Sequence, residues 1–333
     1  MTLYGWGNPR YFPRLPAPLP RFFDIDAETR VLAQCHWQPR PADQGTLVLL
    51  HGLNGSSEAH YMLGIAEKAF GRGLNVVRLN QRNCGGTEHL SVGLFHSGLT
   101  ADVRHVIHEL STLDRLSSIA VAGYSLGGNL ALKLAGEFGG SPPAALKAVA
   151  AVSTILEISP CVRALERPGN WLYEWNFVRD LKARIRRKDR VWPGLYDVSK
   201  LKAIRTVREF DEVYTAPHFG FADAEDYYHR ASAMRVIDRV AVPALVITAN
   251  DDPFVPPEPF LDPRVTGNPR VTLALSLHGG HCGFVGEHAG EDDGYWAERQ
   301  IVQFARGHVS CPGSLPSDDG WASGPSGPSG SIW

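Results

Sequence analysis

The sequence predicts an α/β protein built on a mostly parallel β-sheet with helices on both faces. Strand-length apolar runs alternate with segments of helical periodicity through the first half of the chain, as a doubly wound sheet requires. The motif Gly123-Tyr124-Ser125-Leu126-Gly127 lies between one such run and a helical segment. Polar or glycine-rich residues follow several of the runs, where the carboxyl ends of parallel strands would meet. We therefore expect a functional site at this edge of the sheet.

The first half of the chain divides into an irregular arm and an alternation of strands and helices. The arm, residues 1–21, is rich in proline, which disfavours helices and inner strands. The helix after the third strand can be capped by Ser56 or Ser57, and the next helix by Thr100, because these side chains accept hydrogen bonds from free backbone N–H groups. The predicted strands are 22–25, 31–37, 47–50, 75–79, 119–122 and 146–152, and the predicted helices run through 66–70, over 101–113 and over 126–138.

In the second half, the alternation stops at about residues 154–240. Trp171, Trp175, Val178, Leu181 and Ile185 share one helical stripe, and basic residues between positions 179 and 190 form another side. We interpret this segment as a helical cap inserted above the site. Strands resume at 243–248 and 270–276, and a closing helix follows at 295–308.

These elements predict the domain organisation. Residues 22–310 are expected to form one α/β domain that includes the cap, and two separate domains are the alternative for a chain of 333 residues. Residues 311–333 are rich in Gly, Ser and Pro, a composition that predicts a disordered tail.

Composition excludes several classes of function. The formal net charge is −2, so nucleic acid is not an expected partner. The five cysteines are scattered and odd in number, which favours reduced thiols in a cytoplasmic protein over a disulfide scaffold. The stretch from Met1 to Pro20 lacks the apolar core of a signal peptide, and no apolar run approaches the roughly 18 residues of a membrane span. The oligomeric state is not predicted.

Ser125 is the candidate nucleophile, because Gly-x-Ser-x-Gly is the spacing of a nucleophile elbow. On such a turn the serine has a strained backbone conformation and its hydroxyl points away from the sheet. Gly123 and Gly127 allow the strand and the helix to pack closely, and the helix directs its positive end toward developing negative charge. A glycine-rich turn after a buried strand is the alternative, but the apolar run before the motif and the helix formers after it favour the elbow.

A serine hydroxyl is a weak nucleophile that needs a base, and the base needs an orienting acid. Asp252 follows the strand 243–248, and His281 follows the strand 270–276, which is the serine, acid, histidine order of this kind of site. Asp251 is the alternative acid, interpreted as a turn residue, and His278 is interpreted as the end of its strand. A metal site formed by His278, His281 and Cys282 is possible, but no carboxylate or second cluster at ligand spacing accompanies them.

The tetrahedral intermediate of an acyl transfer also needs hydrogen-bond donors for its oxyanion. The backbone N–H of Leu126, directly after the serine, is the first candidate donor. The N–H of Leu53, in the loop at residues 51–55, is the second, with a plain glycine turn as the alternative for this loop. His51 is interpreted as a support for the loop. This set of residues requires no metal ion and no organic cofactor.

Several motifs together resemble the YheT-like branch of the α/β-hydrolases, and the resemblance extends from about Phe22 to Arg306. One departure is Asn83, which stands where the family usually has glycine; Asn is the least costly replacement if the position needs a positive φ. The motifs are His51-Gly52-Leu53-x-Gly55-Ser56, the run from Asn80 to Gly86, His96-Ser97-Gly98-Leu99-Thr100-x-Asp102, the run from Gly123 to Asn129, Phe210-Asp211, Gly220-Phe221, Tyr227-Tyr228 and Asn250-x-Asp252-Pro253-Phe254.

The resemblance implies an α/β-hydrolase fold and an esterase or acyl hydrolase with a Ser-Asp-His triad. Relatives are described as acting on acylglycerols, phospholipids or fatty-acid ethyl esters. We therefore expect a serine hydrolase that cleaves carboxylic esters of short- to medium-chain acyl groups through an acyl-enzyme, with a small-molecule acyl ester as its partner. Thioesterase or acyltransferase activity with the same triad, and a non-catalytic binding relative, are the alternatives. The candidate substrate-binding residues are Tyr124, Trp171, Trp175 and Trp192.

Overall fold

The computed structural model describes residues 10–287 and 293–309, and an eight-stranded β-sheet forms its centre. The spatial order of the strands is β1-β2-β4-β3-β5-β6-β7-β8. Strand β2 is antiparallel to β1 and β4, and the pairings from β4 through β8 are parallel, which confirms the predicted mostly parallel sheet. The strands are β1 (Leu19–Asp26), β2 (Thr29–His36), β3 (Thr46–Leu50), β4 (Asn75–Leu79), β5 (Ile119–Tyr124), β6 (Leu146–Val152), β7 (Ala244–Ala249) and β8 (Val271–Ser276).

Helices cover both faces of this sheet. Helices α1 and α10 pack on one face, with Met62, Ile65 and Ile301 in one apolar core, and α2 and α3 pack on the other, with Val106 and Leu130 in a second core. Every residue of β3, β4, β5 and β7 is therefore buried, as expected for parallel strands covered on both sides. The helices are α1 (His60–Phe70), α2 (Thr100–Thr112), α3 (Leu126–Phe138), α4 (Ile158–Leu165), α5 (Trp171–Val191), α6 (Val207–Phe210), α7 (Ala216–Phe219), α8 (Ala224–Ala231), α9 (Pro263–Thr266) and α10 (Trp296–His308).

The cap is the helical segment between β6 and β7, as the sequence predicted. It contains α4 to α8 and a π-helical turn, Asp211–Thr215. The basic end of α5 fastens the cap to the body: the Lys188 ammonium donates to the carbonyls of Glu88 and Ser91, and Arg187 forms an ion pair with the Glu88 carboxylate. Part of the predicted basic side is thus an anchor.

Most element boundaries agree with the sequence, and the helix caps do not. The predicted cap at Ser56 or Ser57 is wrong, because α1 begins at His60 with Ala59 as its N-cap. The backbone N–H of Ser57 donates instead to Asn80. Helix α2 includes Thr100, whose hydroxyl donates to Glu137 and does not cap the helix.

Three remaining expectations concern the arm, the tail and Asn83. Strand β1 starts at Leu19, before the predicted 22, and Arg10 of the arm binds Glu298 of α10 at 2.6 Å. The predicted disordered tail, residues 311–333, lies outside the described residues. Asn83 has a φ of 62°, the positive value for which Asn is the least costly substitute for glycine. Within the described ranges, no helix has the length and apolar character needed to cross a membrane.

Candidate active site

Ser125 lies at the turn between β5 and α3, with φ 52° and ψ −116°. A non-glycine residue reaches this region only when the surrounding structure holds it there. The two flanking glycines supply that packing. A Cβ atom on Gly123 would lie 2.2 Å from the backbone of Gly127, and one on Gly127 would lie 2.3 Å from the carbonyl oxygen of Leu50. The strand, sharp turn and helix that the motif requires are all present.

Asp252 and His281 come together at the same edge of the sheet, after β7 and β8 respectively. The His281 Nδ1–H donates to Asp252 Oδ2 at 2.8 Å. The other carboxylate oxygen, Oδ1, accepts the backbone N–H groups of Phe254 at 3.1 Å and Val255 at 3.0 Å. Both side chains are largely shielded from solvent. This bonding holds the Asp252 carboxylate in place and directs Nε2 of the imidazole away from it.

The electrostatic environment of His281 favours its charged form. Burial by itself lowers the pKa of the imidazole, but the negative charge of the adjacent Asp252 outweighs burial, and the pKa is raised above its ordinary value of 6.5. The ring of Phe254 lies 4.1 Å from the imidazole, centroid to centroid, and helps to enclose it. An imidazolium formed during a reaction would therefore be stabilised where it stands.

Asp251, the alternative acid, has a different role. Its Oδ1 accepts the N–H groups of Gly279 and Gly280, at 2.8 and 2.7 Å, and so shapes the turn that carries His281. His278 is 78% exposed and 3.5 Å from Asp251. The described residues contain no group of three His, Cys, Asp or Glu side chains arranged to hold a metal ion.

The loop after β3 passes directly beside Ser125. A Cβ atom on Gly52 would lie 3.3 Å from the Cβ of Ser125. Leu53 and Leu126 line the same cavity as Ser125, and Leu126 is the first residue of α3, where an N–H has no acceptor within the helix. His51 holds the loop: its Nδ1 contacts the Gly52 carbonyl at 2.8 Å and its Nε2 accepts the Gln81 N–H at 3.1 Å. Burial lowers the pKa of His51 to about 4, so the ring is neutral and serves as a support.

Ser125 opens into a cavity that lies between the sheet edge and the cap. The wall is mostly apolar, which suits an acyl chain. On the body side it includes Leu53, Leu126 and Phe254. From the cap come the apolar residues Ile158, Val162, Leu165, Phe177, Leu181, Ile185, Val207 and Phe210, and the polar members of the wall are His96, Ser97, Arg184, Asp211, Thr215, Tyr227 and Tyr228.

The described wall of this cavity includes none of the four candidate substrate-binding residues. Trp171 and Trp175 are 66% and 52% exposed. Trp192 donates through its Nε1 to the Glu88 carbonyl at 3.2 Å and helps to fasten the cap. Tyr124 is buried and stacks on Tyr61, with the ring centroids 4.5 Å apart. The face of α5 that lines the cavity carries Leu181 and Ile185 of the predicted stripe, together with Phe177 and Arg184.

The cavity contains a polar cluster that the sequence analysis did not predict. Asp211 accepts hydrogen bonds from Thr215 at 2.6 Å and Tyr228 at 2.8 Å. Burial raises the pKa of Asp211 to about 7. Ser97 and Tyr227 form a second hydrogen-bonded pair, with the hydroxyls 2.8 Å apart. The Phe210-Asp211 and Tyr227-Tyr228 dipeptides belong to the motifs of the family resemblance, so the signal was present, but their place in the cavity could not be read from it.

Comparison with known proteins identifies the class. A family model of the alpha/beta hydrolase fold matches residues 45–287, and the chain belongs to that family. Within it the chain belongs to the YheT-like branch: it is 35% identical to "Putative esterase YheT" of Escherichia coli (strain K12) over 278 residues, which are 83% of this chain and 79% of that protein.

Two further matches are more distant. Phospholipase ABHD3 of Mus musculus is 32% identical over 241 residues, 72% of this chain and 58% of that protein. The structure of the esterase Pf2001 of Pyrococcus furiosus superposes with a TM-score of 0.61 at 14% identity, covering 91% of this chain and 98% of that chain. The similarity to the Pf2001 structure shows that the two chains share a fold. The family and these relatives together support a hydrolase.

Proposed function

We propose that this protein cleaves carboxylic esters of short- to medium-chain acids through an acyl-enzyme formed on Ser125. The observation that carries the proposal is the 2.8 Å contact between His281 and a fully enclosed Asp252, at the sheet edge where Ser125 occupies a strained elbow. A histidine fixed in this way by an acid is the activating device of serine hydrolases. Membership in the α/β-hydrolase family supports the same assignment.

In the proposed mechanism, the Ser125 hydroxyl oxygen attacks the ester carbonyl carbon while His281 Nε2 accepts the hydroxyl proton. The oxyanion that forms accepts hydrogen bonds from the N–H groups of Leu53 and Leu126, each worth about 3 kcal/mol in comparable sites. His281 then gives the proton to the leaving alcohol. A water molecule, activated by the same imidazole, hydrolyses the acyl-enzyme and restores Ser125.

The apolar part of the cavity wall is the proposed site of the acyl chain. Residues from α4 and α5, such as Val162, Leu165 and Leu181, face the same space as Ser125. Each methylene group transferred from water into such a pocket contributes about 0.8 kcal/mol, close to a fourfold gain in affinity. Thioesters and acyl transfer to alcohols use the same residues, so these substrates belong in the assay.

The test combines covalent labelling with an ester series. A fluorophosphonate probe should label the wild-type protein and should fail to label Ser125→Ala. The matched control is Ser97→Ala, because Ser97 is a second serine in the wall of the same cavity and lies outside the elbow; this variant should remain labelled. 4-Nitrophenyl esters from acetate to dodecanoate then give kcat/KM against chain length. The proposal would be contradicted if Ser125→Ala were still labelled, or if the wild-type protein hydrolysed the esters no faster than Ser125→Ala.

A further inference from the structure

Arg184 is a buried cation in the wall of the cavity that contains Ser125. It lies on the cap helix α5 and is 4% exposed. Among residues 10–287 and 293–309 its side chain forms a hydrogen bond with Asn54 and no ion pair with an acid, and its Nε has no hydrogen-bond partner. The hydrogen bond runs from Nη2 to Asn54 Oδ1 at 2.8 Å, and the ring of Phe95 lies 4.6 Å from the guanidinium carbon. Burying a charge without a counter-charge is costly, so this arrangement indicates a missing partner.

Other buried cations of the described structure are compensated. Lys188 donates to two backbone carbonyls, and Arg78 pairs with the Glu58 carboxylate at 3.0 Å. The acid in the same cavity, Asp211, accepts hydrogen bonds from Thr215 and Tyr228 and forms no ion pair with Arg184 among the described residues. The positive charge of Arg184 is therefore left for something that enters the cavity.

The position of Arg184 relates this charge to the reaction. Asn54 directly follows Leu53, the proposed oxyanion donor, and adopts a φ of 59°. Its side chain joins the loop to α5 twice, by accepting from Arg184 and by donating to the Phe177 carbonyl at 3.1 Å. One nitrogen of the guanidinium is thus fixed beside the oxyanion loop, and Arg184 also forms part of the cavity wall.

We propose that Arg184 binds an anionic group, a carboxylate or a phosphate, carried by the ester substrate. The inference rests on the proposed ester hydrolysis and adds a substrate class to it: acyl esters with one negative charge near the ester. A guanidinium offers several N–H donors in one plane, which matches the oxygens of either anion. An apolar wall with one unpaired cation selects for a molecule that is apolar over most of its length and charged at one place.

Matched ester pairs separate charge from shape. The carboxylate pair is monomethyl adipate and the neutral methyl heptanoate; the phosphate pair is 4-acetoxyphenyl phosphate and the neutral 4-methoxyphenyl acetate. For each pair, the ratio of kcat/KM for the charged ester to that for the neutral ester is measured in wild type, Arg184→Met and Arg184→Lys. Intrinsic reactivity cancels when the ratio is compared between variants. The pair whose ratio changes when Arg184 is replaced identifies the anion that Arg184 binds.

In Arg184→Met we expect the ratio of at least one pair to fall about 10- to 100-fold, the range of a charge-assisted hydrogen bond. Arg184→Lys keeps the charge and should retain much of the ratio, which also guards against a variant that does not fold. A ratio that is the same in all three proteins would overturn the proposal, because Arg184 would then only position the Asn54 loop.

A binding measurement keeps this test separate from the proposed function. Ser125→Ala cannot turn over substrate by the proposed route, so calorimetry on this variant measures binding alone. Monomethyl adipate or 4-acetoxyphenyl phosphate should bind more tightly than its neutral partner, and the difference should disappear in Ser125→Ala/Arg184→Met. Wild type that binds the anions selectively but hydrolyses no ester would contradict the proposed function and support the anion site. Equal binding of charged and neutral molecules would overturn the anion site.

Discussion

The sheet edge and the cap hold their functional side chains in different ways. At the sheet edge, backbone conformation and backbone hydrogen bonds position the side chains. Ser125 is held by its own turn, and Asp252 by two backbone N–H groups. The turn that carries His281 is held by the backbone N–H groups that donate to Asp251. In the cap, the cavity wall depends on which face of α4 and α5 turns inward. Backbone requirements can be recognised in a sequence, because they need glycines at fixed spacings. The face of a helix that turns inward depends on its tertiary neighbours and is not marked in this way.

The strongest test of this contrast is removal of the proposed nucleophile or base. Ser125→Ala should lower kcat by about 10⁴- to 10⁶-fold, and His281→Ala by nearly as much, because the residues act as one unit. Ester hydrolysis under saturating substrate measures both. The double variant should be little worse than either single variant. Losses that multiply in the double variant would mean that the two side chains act independently.

Asp252→Asn should lower kcat by about 10⁴-fold, because the amide no longer holds the reactive tautomer of the imidazole. It should also move the pH profile. His281 is active when neutral, and the Asp252 charge raises its pKa, so wild-type kcat/KM should fall on the acid side with a midpoint above 6.5. Loss of the carboxylate removes the raising effect of Asp252, while burial still lowers the pKa, so the midpoint should move to lower pH. The profile is recorded from about pH 5 to about pH 11, so that it includes the raised pKa of about 10.

The control for this measurement is Asp251→Asn, which changes the neighbouring carboxylate that does not contact His281. Its acid midpoint should stay near that of wild type, because the His281–Asp252 pair is intact. A flat wild-type profile across the acid range, or a midpoint that moves more in Asp251→Asn than in Asp252→Asn, would remove the support for Asp252 as the orienting acid.

Much of the body could be predicted from sequence for a physical reason. The bounds of β4, α3 and β6 agree with the predicted 75–79, 126–138 and 146–152. Buried parallel strands are continuous apolar runs, and a glycine marks where two backbones meet. The helix caps failed because a serine or threonine near a helix start has other acceptors and donors available: Ser57 contacts Asn80, and Thr100 donates to Glu137.

The cavity wall could not be predicted in the same way. Consecutive residues of a helix are about 100° apart, so two stripes on one helix differ by a small rotation. Of the predicted stripe, Leu181 and Ile185 line the cavity, whereas Trp171 and Trp175 are exposed. The inward face also includes Phe177 and Arg184, which lie outside that stripe. A large apolar side chain suggests burial, yet α5 begins at the rim of the cap, where Trp171 is exposed. Arginine side chains are ordinarily solvated, so the sequence alone does not indicate that Arg184 faces the cavity.

Substitutions in the wall should therefore change chain-length preference in opposite directions. Leu165→Ala enlarges the pocket and should move the preferred 4-nitrophenyl ester to a longer acyl chain. Val162→Phe fills the pocket and should move the preference to a shorter one, with kcat/KM for long esters falling about fourfold per excluded methylene. The measurement is kcat/KM across the ester series. If kcat/KM changed by the same factor for every ester in both variants, the acyl chain would have to bind elsewhere.

The smallest effect is expected for Trp171→Ala and Trp175→Ala, and it tests the cap most directly. Both side chains are more than half exposed, so truncation removes little buried area and leaves no cavity. The ring of Trp175 has the guanidinium of Arg179 at 5.0 Å, an exposed contact worth about 0.5–1 kcal/mol. The melting temperature should change little, and the chain-length curve should keep its optimum within about twofold in rate. A shifted optimum in Trp175→Ala, with Val162→Phe unchanged, would mean that the acyl chain lies against the tryptophan end of α5 and not against the wall that contains Val162.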